Sequence, residues 1–459
     1  MTDSAVFRRN FHHFATVAAL AAGLCLPLSP VMSATTIEQS IERAFEQSDS
    51  LRAERQAYVE TIKSVDVATA NENLTGTFVI SGADINTDKK TGNTSDKRFT
   101  RSLTLSKQLY DFGEVDARVQ SAQFSVRAAA ASYEAAEQQL MFSVISAHLD
   151  VITSAEQLAI RQSNVSRLEA HTDAERIRLE NGSSTPTRLA EAEARLARAK
   201  SDLISAEAEY ATAEDSYSSL TGQMPEDLMV PSRPLALPSD ITEAETRARD
   251  NHPSLMSRRL AVDIADMQFD ILRKSVLPKV KFGMTYSQTD QDGAAMDKDE
   301  LTTSLEFRTP FLVTQATRGR DVQTMAASKK ARLLYDDTLR QVSLNARSAF
   351  RDHKAAQAQI DAVMREQEAA ELVNKGTATE VEFGLKTILD QLDTEQSVSD
   401  ANLRMLRSRQ AVLTTAYALL LSTGELNSAA FEAEINLPSL DSISVPESRY
   451  SLPVPVIVD

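Results

Sequence analysis

Residues 99–113 read Phe99-Thr100-Arg101-Ser102-Leu103-Thr104-Leu105-Ser106-Lys107-Gln108-Leu109-Tyr110-Asp111-Phe112-Gly113, and two incompatible periodicities meet inside them. Up to Tyr110 the side chains alternate. Phe99, Arg101, Leu103, Leu105, Lys107 and Leu109 fall on one side and Thr100, Ser102, Thr104, Ser106, Gln108 and Tyr110 on the other, the period of a two-faced strand. Immediately beyond, residues 114–180 hold no proline or glycine and are rich in Ala, Glu, Gln and Arg. A helix of that length extends roughly 100 Å. A two-faced strand feeding so long a rod is not the order of a compact soluble enzyme.

Working outward, Leu74 to Ala83 alternates similarly, with Leu74, Phe78 and Ile80 set against Thr75, Thr77, Val79 and Ser81. The Asn-, Asp-, Lys-, Thr- and Gly-rich segment between the two runs reads as the long polar loop of a hairpin. The same device returns downstream, with Val280, Phe282, Met284 and Tyr286 alternating against Lys281, Gly283, Thr285 and Ser287. It is completed by Leu301, Thr303, Leu305 and Phe307 against Thr302, Ser304, Glu306 and Arg308. The return has a fixed offset. Ser102-Leu103 recurs as Ser304-Leu305, Gly182 as Gly384 and Thr221-Gly222 as Thr423-Gly424, each 202 positions later, so the chain is a tandem duplication.

The predicted boundaries follow from that repeat. The first copy covers 34–222, with helices, a hairpin at about 74–110 and a helix pair at about 113–222. A linker at 223–240 carries Pro225, Pro231, Pro234 and Pro238, where helix cannot persist. The second copy covers 241–424, with a hairpin at about 279–309 and a helix pair at about 314–424, and a segment with a proline-rich, poorly ordered tail fills 425–459. In the first copy Ile37, Ile41, Phe45, Leu51, Tyr58 and Ile62 have helical spacing, predicting one or two amphipathic helices. The second helix of each pair carries a heptad seam. Leu189, Leu196, Leu203, Tyr210 and Tyr217 face Ala192, Ala199, Ala206 and Ala213, while Leu389, Leu392, Leu403, Leu406, Leu413, Tyr417 and Leu420 keep the same stride.

Residues 1–33 read as a secretory signal, with Arg8 and Arg9 ahead of an apolar core from Phe14 to Leu28 and small residues at Val31-Met32-Ser33. Cys25 is the sole cysteine and lies inside that segment, so the exported chain is expected to have neither disulfide nor cysteine metal site. Leu24 before it argues against lipidation. With a formal charge of −16 and basic residues interleaved with acids, nucleic acid is excluded as a partner. His148, His171, His252 and His353 are scattered without ligand or catalytic spacing, and no phosphate-binding glycine loop occurs, so no enzyme and no cofactor is expected.

Four two-faced strands of roughly ten residues match outer-membrane barrel strands, and open sheet edges are not tolerated in lipid. The pattern therefore demands that several chains close one barrel. A pore-free periplasmic coiled-coil scaffold or adaptor is the competing reading, but it leaves the two-faced hairpins unexplained.

Leu109-Tyr110-Asp111-Phe112-Gly113, the stretch Arg176–Leu196 around Asn181-Gly182, Thr221-Gly222-Gln223-Met224-Pro225 and Asn251-His252-Pro253-Ser254-Leu255 occur in a telling order. With Gly384-Leu385-Lys386-Thr387-Ile388-Leu389-Asp390-Gln391-Leu392-Asp393, they resemble the TolC-type outer-membrane channels of efflux pumps and type I secretion systems. The resemblance implies a mainly α fold with a membrane β-barrel. In it a homotrimer contributes four strands per chain to a twelve-stranded barrel, continued by a long α-helical coiled-coil barrel through the periplasm. It also implies docking to a periplasmic adaptor (membrane fusion) protein and an inner-membrane ABC or proton-driven transporter.

The turns at Gly182 and Thr185, and at Gly384 and Thr387, would then be periplasmic tips. Asp390 and Asp393 stand i, i+3 on one helix face. The resemblance makes them the pore gate, two rings of carboxylates at the constriction. Lys386 matches a basic position that supports closure. Two departures weaken that latch: Arg188 stands where the family has its acidic partner, and Val381 where a tyrosine is expected. Closure is therefore expected to rest more on coiled-coil packing than on those polar links.

Overall fold

The computed structural model describes residues 34–89, 92–231, 236–291, 298–312 and 314–431; the predicted signal segment and the tail beyond 431 lie outside them. The first copy runs α1 (Ile37–Gln47), α2 (Asp49–Thr69), β1 (Thr75–Lys89), β2 (Gly92–Tyr110), α3 (Glu114–Glu180) and α4 (Pro186–Thr221). The second runs α5 (Ile241–Asn251), α6 (Pro253–Ser275), β3 (Lys279–Gln291), β4 (Lys298–Arg308), α7 (Gln315–Glu382) and α8 (Ile388–Thr423). The offset of 202 survives in three dimensions: α4 and α8 are both 36 residues long and begin and end at equivalent positions. No helix among the described residues is long and apolar enough to cross a membrane.

The strands form one antiparallel sheet in the order β1-β2-β3-β4. The register lines up Phe78, Leu103, Tyr286 and Leu301 in one cross-strand row and Thr77, Thr104, Thr285 and Thr302 in the adjacent row on the other face. Thr104 and Thr285 share a hydroxyl hydrogen bond of 3.2 Å. The apolar row is left open: Phe78, Leu103, Tyr286 and Leu301 are all exposed. The long loop expected between the first two strands is instead ladder. β1 and β2 stay in register as far as Lys89 opposite Gly92, because backbone pairing does not require apolar side chains.

The change of period at Asp111 has a specific cause. Phe112 (φ 58°) and Gly113 (φ 79°) are both left-handed, so the chain turns out of the strand within two residues. The Asp111 carboxylate accepts from the Gly113 and Val115 N–H groups at 2.9 and 2.8 Å, satisfying donors at the helix start. Buried Glu114 follows and pairs with Arg118 at 2.7 Å and with Lys279, the first residue of β3, at 2.5 Å. Strand, helix and the second hairpin are thereby fastened at one junction.

From that junction α3 and α7 run the full length of the helical body, about 100 Å each. Toward the sheet they are flanked by α2 and α6, and midway α5 packs on α7 and α8; beyond, α4 packs on α3, α8 on α7, and α3 meets α8 between the two pairs. The alanine stripe of α4 (Ala192, Ala199, Ala206, Ala213) is buried, letting α4 approach α3 closely. The principal core lies midway, where Ile41, Phe45, Met141, Ile145, Tyr417 and Leu420 cluster. Beside it His148 is fully buried, with Nε2 2.8 Å from the Met229 carbonyl and Nδ1 3.1 Å from the Ser40 hydroxyl, which is 2.8 Å from the Tyr217 hydroxyl. A carbonyl only accepts, so Nε2–H donates to Met229, while the Ser40 hydroxyl bridges Nδ1, the Tyr217 hydroxyl and the Thr36 carbonyl at 3.1 Å. The network fastens α1 and the inter-repeat segment to the helices.

Candidate functional site at the hairpin tips

Each long helix pair reverses through the same turn. Gly182 (φ 72°) and Gly384 (φ 73°) are left-handed. Each ends its helix with Ser183 N–H donating to the Arg178 carbonyl in one copy and Leu385 N–H to the Glu380 carbonyl in the other, both at 2.8 Å. The next helices start differently. Thr387 and Asp390 form a capping box: the Thr387 N–H and hydroxyl donate to Asp390 Oδ2 at 2.8 and 2.7 Å, and the Asp390 N–H donates back to Thr387 Oγ1 at 3.2 Å. In the first copy Thr185 makes no side-chain cap, Pro186 takes the first helical position and exposed Arg188 sits where Asp390 does.

Beneath each turn lies a polar tie built from the same three positions. In the first hairpin buried Glu175 accepts from Arg178 at 2.5 Å and from Ser184 at 2.8 Å. In the second, Lys386 Nζ lies 2.7 Å from Glu380 and donates to buried Thr377 at 3.3 Å. Positions 175, 178 and 184 carry acid, base and hydroxyl; their equivalents 377, 380 and 386 carry hydroxyl, acid and base. The set is permuted, not copied. Lys386 thus spends its charge inside its own hairpin, and Arg188 makes no ion pair among the described residues.

Asp393 is where the two hairpins meet: its Oδ1 accepts from Arg195 Nη1 of α4 at 2.6 Å. Farther from the tip the α3/α8 seam continues through Asn164 to Gln396 (3.4 Å), Gln157 to Arg407 (3.2 Å) and Asp150 to Gln410 (2.5 Å). Arg195 escaped the sequence reading because nothing in its spacing marks it; only the rotation of α4 against α8 aims it at Asp393.

A groove of about 560 Å³ separates the tips, lined on one side by His171, Glu175 and Arg188 and on the other by Lys386, Leu389 and Leu392. Burial pushes the His171 imidazole below its usual range, although Glu175 opposes that. Burial alone would raise Glu175, but the Ser184 and Arg178 hydrogen bonds outweigh it and hold the carboxyl low. The Thr387 side chain and backbone likewise hold Asp390 below the usual carboxylate range. Both are therefore fixed anions at neutral pH. Among the described residues no group of side chains suits a metal ion.

A two-faced sheet with an exposed apolar row, prolonged by a duplicated pair of helical hairpins whose tips carry fixed charge, is the architecture of an outer-membrane duct subunit. The chain belongs to the outer membrane efflux protein family, which it matches over residues 38–223 and 246–425. It is 25% identical over 398 residues to the outer membrane efflux protein BepC of Brucella suis, covering 85% of this chain and 86% of that one. To the outer membrane protein TolC of Vibrio cholerae it is 24% identical over 392 residues, covering 82% and 87%. Its fold superposes on the outer-membrane channel CmeC of Campylobacter jejuni with a TM-score of 0.77 at 13% identity, over 88% of this chain and 87% of that one. The protein is an outer-membrane channel component with its helices in the periplasm, and the pore-free scaffold is set aside. The family is one of transport proteins, not enzymes.

Proposed function

We propose that three copies of this chain close a twelve-stranded barrel and one helical tube, forming the exit duct of a tripartite efflux or type I protein secretion system. The observation that carries the reading is the four-stranded sheet, whose apolar face and both edges are unpartnered in one chain. Support also comes from α7, which exposes Val322, Met325, Leu333, Met364 and Leu372 along a flank that a neighbouring copy would cover. The tips, with Gly182, Thr185, Gly384 and Thr387 at the turns, face a periplasmic adaptor protein and, through it, an ABC or proton-driven transporter of the inner membrane. Asp390 and Asp393 gate the constriction, with Lys386 and Arg188 beside them. Such carboxylate rings repel each other, concentrate cations and bind polyvalent ones.

Planar-bilayer recordings test the duct and its gate together. Wild type should give cation-selective channels blocked by multivalent cations. Asp390→Ala with Asp393→Ala should lose both the selectivity and the block, and equal behaviour in the two proteins would sink the gate.

A further inference from the structure

We propose that Arg195 sets the ionic character of the constriction. It masks Asp393 while the hairpins are together and releases that carboxylate when they separate, so that cation selectivity rises with opening. The inference rests on the trimeric duct proposed above.

The two gate carboxylates are held in different ways. All the bonds to Asp390 come from Thr387, three residues away on the same hairpin, so its charge is unchanged by any movement of one hairpin against the other. Asp393 instead shares its charge with Arg195 across the boundary. The other arginine pairs at the tips, Arg176 with Glu193 and Arg178 with Glu175, stay inside the first hairpin. The Asp393 side chain is 59% exposed and that of Arg195 35%, so both are wet enough to part without leaving a buried charge behind.

The surroundings make this boundary electrically lopsided. A second groove of about 540 Å³ runs beside the pair. Arg161, Arg167, Arg195 and Arg198 line the wall belonging to the first hairpin, where Arg161 is already paired with Asp202. Asp393, Glu395 and Asp400 line the wall belonging to the second. Opposite charge on the two walls favours contact, and separation removes the cation that neutralises Asp393. One exposed pair shifts an equilibrium about 1.4- to 5-fold, so three equivalent copies shift closure roughly 3- to 100-fold.

The test compares full-length wild type, Arg195→Ala, Asp393→Asn and the exchanged pair Arg195→Asp with Asp393→Arg, in planar bilayers under a KCl gradient. Heat-sensitive migration of the trimer checks assembly of each. Both single variants should raise conductance, because each breaks the tie. Only Arg195→Ala should also move the reversal potential toward that of potassium, because only it leaves Asp393 charged. The exchanged pair should return conductance to the wild-type level. Wild-type conductance in Arg195→Ala, or identical reversal potentials in the two single variants, overturns the inference while leaving the duct intact. Absence of channels from wild type itself overturns the duct.

Discussion

Two glycines show how differently one residue type is used. Gly424 (φ 76°) closes α8, and a Cβ there would lie 2.6 Å from His252 Cα and 2.7 Å from the Asn251 carbonyl oxygen, backbone atoms that cannot step aside. Gly182 has the same backbone conformation, yet a Cβ there meets nothing within 4 Å. Gly182→Ala should therefore cost only the left-handed penalty, about 1 kcal/mol, whereas Gly424→Ala should abolish assembly, read as the yield of heat-resistant oligomer. A second residue-scale effect is electrostatic. Burial, with help from nearby Glu134, pushes Glu137 up to about 7 although the Tyr133 hydroxyl bonds it. Its folded value exceeds the ordinary one, so the folded state holds a proton that the unfolded chain has released, and stability falls as pH rises from about 4 to 7. Glu137→Gln should raise the melting temperature at pH 8 relative to wild type and flatten the profile between pH 5 and 8. Retention of the full wild-type slope would refute the assignment. The depressed carboxyls of Glu175 and Asp390 act in the opposite sense and lose their contribution only below about pH 4.

Among the elements, α4 and α8 are twins with unequal beginnings. The Asp390 capping box secures α8, while α4 carries Arg188 at the equivalent place in its first turn, a cation at the positive end of the helix dipole. Arg188→Glu should install the missing box and stabilise the first turn of α4 by about 1 kcal/mol, seen as slower amide exchange at residues 187–189. Faster exchange would show that Pro186 prevents the geometry. How much of this was legible depends on the range of the interaction. The alternation of Phe99–Tyr110, the alanine stripe of α4 and the repeated glycines are local patterns, and they disclosed strand, seam and turn directly. The Thr387–Asp390 box was equally local, but a carboxylate three residues after a threonine serves equally as a surface charge or as a cap. The Arg195–Asp393 pair and the permuted ties beneath the turns were not legible. The first joins residues from different repeats through helix rotation, and the second aligns Glu175 with Thr377, which share no chemistry.

For the molecule as a whole, the sheet makes the sharpest claim. In the duct proposed above its apolar row would face lipid and its threonine row the lumen, giving neighbouring residues on one strand opposite surroundings. Leu103→Arg should cost about 2–4 kcal/mol in the bilayer and deplete the protein from the outer-membrane fraction. Thr104→Arg should assemble normally and lower cation conductance instead. Equal depletion by both would mean that the two faces are not separated by a membrane. The equal lengths of α4 and α8 carry a last consequence. Both hairpins reach the same height, so in a trimer six tips end level and the mouth has a flat rim. A heptad inserted into one pair alone would turn that rim into a crown of three teeth, leaving a docking partner half its footing; lengthening this duct requires the same edit twice.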